Sequence, residues 1–383
     1  MKYRTFGKTG LEISLLGFGC MRFPVMNQDS SLINEKEATA MVRHAIDQGV
    51  NYFDTAYPYH AEDFSKPGAS ETFLSRALKD GYREKVKLAT KLPCWLVEQA
   101  SDMERILNEQ LDRLDTESID FYLLHSLNRK TWDKLLDFGV LEFLDKAIAS
   151  GLIKYAGFSF HDELPLFKEI VDAYDWAMCQ IMYNYYDEDF QAGKEGLVYA
   201  AERNIAVVAM EPLRGGALVN GLPEEAKSVL RDADPEKSEA DWAISWLMDQ
   251  PGVSMVLSGM SHMDHVVENL DIVNRFSADS WKEENTAIIN KVRQIISRLQ
   301  KVNCTSCGYC LPCPEGVNIP RNFSLFNDHH MLNDPSARIR YMRLLSEVEK
   351  ASNCTRCGEC LEKCPQEIAI PDEMEEVAAQ FNS

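Results

Sequence analysis

An α/β barrel of eight strand–helix units, followed by a small cysteine-rich domain, is the fold class this sequence predicts. Three observations carry it. Eight short apolar runs recur through the first 275 residues, helical patterns lie between them, and eight of the eleven cysteines fall in two dense groups after residue 300. Short apolar runs without charge are the signature of strands buried on both faces, and strands separated by helices form parallel sheets. Eight such units in about 250–300 residues close into a (β/α)8 barrel.

The elements follow in order. "RTFGKTGLEIS" reads as a small hairpin ahead of the barrel. The strands are "SLLGFGC", "NYFDT", "VKLATKL", "IDFYLLH", "KYAGFS", "WAMCQIMYN", "IAVVAM" and "VSMVLSG". After Asn34, the residues Ala38, Met41, Val42, Ala45 and Ile46 share one helical face, Glu37 completes a cap and Gly49 ends the helix. Ser101 with Glu104 is expected to start a second helix, on which Leu107, Leu111 and Leu114 share a face, and Ser238 with Asp241 a third. The stretch 211–237 exceeds an ordinary βα loop and is expected to fold over the barrel mouth. A helical segment around 280–300 leads out of the barrel, so the boundary is placed at 300: residues 1–300 form the barrel and 301–383 the tail.

Composition narrows the function. A formal charge of −20 repels nucleic acid and anionic membrane surfaces alike, so neither is expected as a partner. The N-terminus has no apolar segment of a secretory leader, and no run reaches the ~18 apolar residues of a membrane span. A cytoplasmic location is expected. Cys20, Cys94 and Cys179 lie in apolar stretches and read as small buried hydrophobes.

In a barrel of this type, chemistry sits where the strands end. Asp54 and Tyr59 follow the second strand, Lys91 closes the third and His125 the fourth. A lone Asp or His in such a place is ordinarily a cap or a satisfied polar group. Their arrival at three neighbouring strand ends is another matter. A phenol is a poor acid at neutral pH unless its anion is stabilised. Lys91, held by Asp54, supplies positive charge, His125 orients a carbonyl oxygen, and Tyr59 donates the proton as a hydride arrives.

"FDTAYPY", "ATKL", "YLLHS" and the opening "RTFGKTGLEISLLGFGCMRF" resemble the motifs of the aldo-keto reductase family over about residues 1–275. The resemblance implies reduction of an aldehyde or ketone by NADPH or NADH, with Tyr59, Lys91, Asp54 and His125 as the catalytic tetrad. It also implies cofactor contacts from Gly19, Cys20 and Met21, from Ser159 and Gln180 at the nicotinamide carboxamide, from Met210 and Leu213, and from Glu268 and Asn269 on the adenine side. Phe160 stands where the family usually has Asn, and Met210 where an aromatic ring commonly stacks. Gly259 and His265 occupy the approximate places of the Lys and Arg expected at a 2′-phosphate, which leaves the choice of nicotinamide cofactor open. The turn Arg214-Gly215-Gly216 is available to a pyrophosphate, although such turns are commonly just turns. Trp95, Tyr183, Tyr185, Tyr186 and Phe64 are candidates for lining a substrate pocket.

In the tail, Cys354, Cys357, Cys360 and Cys364 precede Pro365 with the C-x2-C-x2-C-x3-C-P spacing of a [4Fe–4S] site. Cys304, Cys307, Cys310 and Cys313, before Pro314, differ by one residue in the last gap. C-x2-C pairs also bind zinc, but two sets with trailing prolines favour iron–sulfur. In two-cluster ferredoxins the fourth cysteine of each motif serves the other cluster, so Cys304, Cys307, Cys310 and Cys364 are expected on one and Cys354, Cys357, Cys360 and Cys313 on its twin. The helical pattern "ARIRYMRLLSEVEK" between the motifs makes the tail resemble the mostly α-helical, ferredoxin-like type.

Hydride transfer moves two electrons and a [4Fe–4S] cluster moves one, so coupling them calls for a mediator such as flavin. No flavin motif is present, although the nicotinamide site leaves room for one. Three arrangements answer this. The barrel reduces carbonyls alone while the clusters are structural or sensory; the clusters relay electrons from a redox protein partner; or the barrel is a non-catalytic platform in an electron-transfer assembly.

Overall fold

The computed structural model describes residues 1–277, 281–333 and 337–382. A hairpin of β1 (Tyr3–Thr5) and β2 (Glu12–Ser14) opens the chain. The barrel strands are β3 (Leu16–Gly19), β4 (Tyr52–Asp54), β5 (Lys87–Leu92), β6 (Ile119–Leu127), β7 (Ile153–Phe160), β8 (Met178–Met182), β9 (Ala206–Met210) and β10 (Val253–Gly259). They close in the order β10-β3-β4-β5-β6-β7-β8-β9, every neighbouring pair parallel. This is the TIM barrel expected from the eight apolar runs.

The pleat explains why those runs lack charge. Tyr52, Ala89, Phe121, Leu123, Met178, Val208 and Met255 point into the barrel, where they fill it. Their neighbours point outward against helices. The hairpin contributes Phe6, whose ring packs 5.3 Å from Phe121 and 6.0 Å from Tyr52 and plugs the end of the barrel where the strands begin.

The helix Glu35–Asp47 buries Ala38, Met41, Val42, Ala45 and Ile46, and the Asn34 side chain accepts from the Glu37 N–H at 3.4 Å. The second start signal is displaced by two residues from expectation, from Ser101 with Glu104 to Gln99 with Asp102. The helix runs Ala100–Leu114, and the carboxylate reaching back is that of Asp102, which accepts from the backbone of Glu98 and Gln99. Asp102 lies at the third helical position, where a short side chain meets those N–H groups; Glu104 is past them. The helix at Glu239–Asp249 begins beside Ser238, but Asp241 faces Ser245 and Arg275.

Two compact units result: Met1–Gly215 with Ala240–Lys282, and Gly216–Glu239 with Glu283–Ser383. The first unit carries the barrel strands and the second both cysteine motifs. The stretch 211–237 contains the helices Ala217–Asn220 and Glu224–Ala233, and the latter packs on Glu283–Ser297 within the second unit. Both helices are amphipathic, and each buries its apolar stripe against the other.

Among its described residues the second unit has no strand. Its core joins Phe323, Phe326, Tyr341, Met374, Val377 and Phe381, with the Tyr341 and Phe381 rings stacked 4.4 Å apart. The expected helix between the cysteine motifs is present over Ala337–Leu344 and breaks before a 3-10 turn at Glu347–Glu349, where Ser346 caps the turn through Glu349. No helix among the described residues is long and apolar enough to cross a membrane.

Candidate active site and cysteine centres

Asp54 ends β4, Lys91 lies one residue from the end of β5 and His125 lies near the end of β6. Parallel pairing of these adjacent strands brings the three side chains to one end of the barrel. Lys91 Nζ donates to Asp54 Oδ1 at 2.5 Å, to the Thr55 carbonyl at 2.8 Å and to Tyr59 Oη at 3.2 Å. The Tyr59 and His125 rings meet edge-on with centroids 6.0 Å apart. The four residues read separately from the sequence thus form one cluster.

Its electrostatics follow from burial. Desolvation pulls the Lys91 ammonium down, but Asp54 and Tyr59 together outweigh it and hold the group above its ordinary value. Burial pushes the Asp54 carboxyl up, opposed by Lys91. The Tyr59 phenol is also pushed up by burial, with Lys91 pulling the other way. At neutral pH the phenol is therefore protonated. Burial, then the Lys91 charge, drives His125 well below the usual imidazole range, so the ring is neutral and able to donate or accept one hydrogen bond.

Tyr59 is placed by its surroundings. Its carbonyl accepts from the Ser70 N–H at 3.2 Å, and Gly68 presses against it so closely that a Cβ would lie 1.9 Å from that oxygen. Behind Lys91, Glu71 is fully buried and accepts from Thr90 Oγ1 (2.6 Å), Gln110 Nε2 (2.7 Å) and Arg113 Nε (2.7 Å), while Gln110 also donates to the Lys91 carbonyl at 3.1 Å. Gly68 and Glu71 were not singled out from the sequence. "KPGAS" reads as an ordinary turn, and an acid in a first helical turn reads as dipole compensation.

The remaining candidates lie along the same strand ends. Gly19 ends β3, and Cys20 is buried, its N–H donating to the Asp54 carbonyl at 2.8 Å. Met21 is exposed. Ser159 Oγ accepts from the Ser126 N–H at 2.8 Å. Gln180 leans its amide nitrogen on Met210 Sδ at 3.6 Å, and its Oε1 is buried without a hydrogen-bond partner. Leu213 and Glu268 are half-buried, whereas Asn269 turns its amide inward to Ser258 Oγ at 2.8 Å. Arg214 is buried against Asp187 at 3.1 Å. Tyr183 and Tyr185 are buried, Tyr186 lies under the Arg214 guanidinium, and Trp95 and Phe64 stand at the rim.

In the second unit the cysteines fall into two hollows. Cys304, Cys307, Cys310 and Cys364 line one, with Ile319 and Phe323 beside them. Cys313, Cys354, Cys357 and Cys360 line the other, with Val317 and Met374. Each hollow takes three cysteines of one motif and the last of the other. Among the described residues no three Cys, His, Asp or Glu side chains converge on one point that would hold a single ion. Four thiols spread around a hollow suit a multi-iron group better than one tetrahedral zinc.

A closed parallel barrel with a Tyr–Lys–Asp–His cluster at its strand ends, and a second, helical unit that carries two sets of four cysteines, define the class of an oxidoreductase with an iron–sulfur module. Comparison makes this particular. The chain belongs to the aldo/keto reductase family, whose model matches residues 15–289, and a 4Fe-4S dicluster domain matches 303–369. It is 30% identical over 315 residues to the uncharacterized oxidoreductase YrpG of Bacillus subtilis, covering 71% of this chain and 91% of that one. It is 25% identical over 322 residues to L-galactose dehydrogenase of Arabidopsis thaliana (78% and 96%) and 24% over 321 to L-glyceraldehyde 3-phosphate reductase of Escherichia coli O157:H7 (72% and 89%). Among solved structures, the holo form of aldo-keto reductase AKR11C1 from Bacillus halodurans aligns with a TM-score of 0.62 and 25% identity, covering 76% of this chain and 96% of that one. An aldo/keto reductase from Klebsiella pneumoniae, solved in complex with NADP and acetate, has the same fold at 23% identity and a TM-score of 0.62, covering 76% and 95%.

Proposed function

We propose that this enzyme reduces an aldehyde or ketone at the mouth of the barrel, with Tyr59 as proton donor. The observation that carries this is the buried contact of Lys91 with both Asp54 and Tyr59, at 2.5 and 3.2 Å. A bound nicotinamide supplies the hydride. The buried, unpartnered Oε1 of Gln180 fits the amide of such a cofactor, and Ser159, Met210, Leu213 and the end of β3 at Gly19, Cys20 and Met21 surround the same strand ends. As negative charge develops on the carbonyl oxygen, the Tyr59 phenol gives it a proton and Lys91 stabilises the phenolate that remains. Neutral His125 donates a hydrogen bond that orients the oxygen. Asp54 keeps Lys91 charged and in place.

The tail holds two [4Fe–4S] clusters in this proposal, one on Cys304, Cys307, Cys310 and Cys364, the other on Cys313, Cys354, Cys357 and Cys360. The crossed lining of the two hollows supports that ligation. Two centres favour an electron relay over a structural staple, and a relay implies a redox protein partner, or a flavin between one-electron and two-electron steps. Anaerobic titration of the iron-loaded protein with NADPH and then NADH tests both parts. Cluster absorbance that bleaches and recovers when a carbonyl is added supports the relay. Nicotinamide consumed while the clusters stay oxidised assigns turnover to the barrel alone.

A further inference from the structure

The two cysteine motifs correspond residue for residue on either side of one insertion. Cys304, Cys307 and Cys310 match Cys354, Cys357 and Cys360, and Cys313 matches Cys364. Each last cysteine is followed by the same Ile-Pro start of a helix, Ile319–Met331 in one motif and Ile370–Asn382 in the other. Ile319 and Ile370 each line both hollows, so the two share an apolar wall. What differs between them is charge.

Two residues after its last cysteine the first motif has Glu315, and the second has Gln366. Because the last cysteines are exchanged, Glu315 lines the hollow of Cys354, Cys357 and Cys360, where Thr355 Oγ1 donates to its Oε1 at 3.4 Å. Gln366 lines the hollow of Cys304, Cys307 and Cys310, which among the described residues is lined by no charged side chain. Glu362, Lys363 and Glu367 adjoin Cys364 in sequence, but none of them lines that hollow. The contrast continues outward, since Ser306 and Tyr309 correspond to Arg356 and Glu359. Arg356 is outnumbered, for it pairs with both Asp372 and Glu375 on the helix that begins at the second hollow. The helix that begins at the first hollow has Arg321 in the place of Asp372 and no acid in its first turn. Hydrogen bonding acts in the same direction: Cys304 Sγ accepts from the Ser306 N–H at 3.4 Å.

An added electron makes a cluster more negative by one charge. A nearby carboxylate opposes that, and an N–H bonded to a ligand sulfur favours it. We propose that Glu315, with Gln366 as its neutral counterpart, makes the two sites unequal, so that a cluster on Cys304, Cys307, Cys310 and Cys364 has the higher reduction potential and one on Cys313, Cys354, Cys357 and Cys360 the lower. The proposal rests on the tail being a two-cluster unit. Exchange between the sites moves one electron, lost at one and gained at the other, with no bond broken and no proton required. A relay through this unit runs from the acidic site to the neutral one, where a single electron comes to rest.

The test is an anaerobic potentiometric titration of the full-length, iron-loaded protein, followed by electron paramagnetic resonance. Wild type, Glu315→Gln and Gln366→Glu are compared, with iron and acid-labile sulfide measured on each. Wild type is expected to reduce in two steps that differ at least tenfold in electron affinity, about 59 mV for one-electron couples. Glu315→Gln should raise the lower step and move the upper one less; Gln366→Glu should lower the upper step. Both side chains are exposed and both changes are isosteric, so iron content should stay the same. A single unresolved step in wild type overturns the proposal, as does a Glu315→Gln variant whose lower step stays put or whose upper step moves instead. Iron and sulfide short of two clusters in wild type would sink the two-cluster reading and this proposal with it, whereas full loading with equal potentials would sink the proposal alone.

Discussion

The Lys91 ammonium and the Asp54 carboxylate meet at 2.5 Å with each side chain only 1% exposed. A buried pair of this kind is stable only as a pair. Removing one partner leaves an uncompensated charge and costs about 3–5 kcal/mol. Lys91→Met is therefore expected to abolish reductase activity and to lower the urea midpoint of the barrel, with both clusters still visible by absorbance. Asp54→Asn combined with Lys91→Met should recover stability without recovering turnover. Near-wild-type turnover in Lys91→Met would refute the role given to the lysine.

Tyr59→Phe removes the proposed proton donor and its hydrogen bond from Lys91, while the ring still packs against His125. Turnover should fall by about 100- to 10,000-fold. Reduction needs the protonated phenol, and burial raises its pKa above the ordinary value. The wild-type reduction rate should therefore hold through neutral pH and decline only above about pH 10. A decline set by Tyr59 near pH 7 would contradict this environment.

Gly68 permits the close return of the chain onto the Tyr59 carbonyl. A Cβ there would sit 1.9 Å from that oxygen and 2.8 Å from the Ala61 nitrogen, so Gly68→Ala must push the Tyr59 loop away. Misplacement by about 1 Å can cost ~100-fold in rate. The expectation is a kcat lowered by about ten- to a hundredfold. Unaltered kcat in Gly68→Ala would show that the loop absorbs the change.

His60, the neighbour of Tyr59, ties two loops together: its Nδ1–H donates to the Ser30 carbonyl at 2.7 Å and its Nε2 accepts from the Phe23 N–H at 3.2 Å. Burial lowers its pKa, outweighing the bond to Ser30. The unfolded chain binds the proton more readily than the folded one. The stabilisation is therefore full above the unfolded value near 6.5 and is lost as pH falls below it towards the folded value. His60→Gln should flatten the fall in thermal midpoint below about pH 6.5; an identical slope would remove His60 from the explanation.

Cys364→Ser should damage the cluster of the first motif, because Cys364 lines the same hollow as Cys304, Cys307 and Cys310. Iron content and electron paramagnetic resonance of the reduced protein distinguish the two centres. Loss confined to the cluster of Cys354, Cys357 and Cys360 would show that ligation is not crossed.

Much of this was legible in the sequence because the signals are local. Strands buried on both faces must be apolar throughout, so eight runs gave the barrel, and its geometry fixes which strand ends are neighbours. Asp54, Lys91 and His125 could be grouped before any coordinate was known. The helix start at Ala100 was displaced because Ser101–Glu104 and Asp102 offer similar local patterns, and only the backbone decides which carboxylate reaches the free N–H groups.

The sequence by itself determined the barrel, the convergence of Asp54, Tyr59, Lys91 and His125, the cysteine spacing and the chain's acidity, all properties of residue type and interval. Tertiary structure alone decided that residues 216–239 join the tail, that Gly68 must lack a side chain and that Gln180 keeps a buried oxygen unpaired. Those outcomes depend on which atoms meet across long stretches of chain, and sequence spacing does not record contacts between segments that folding brings together.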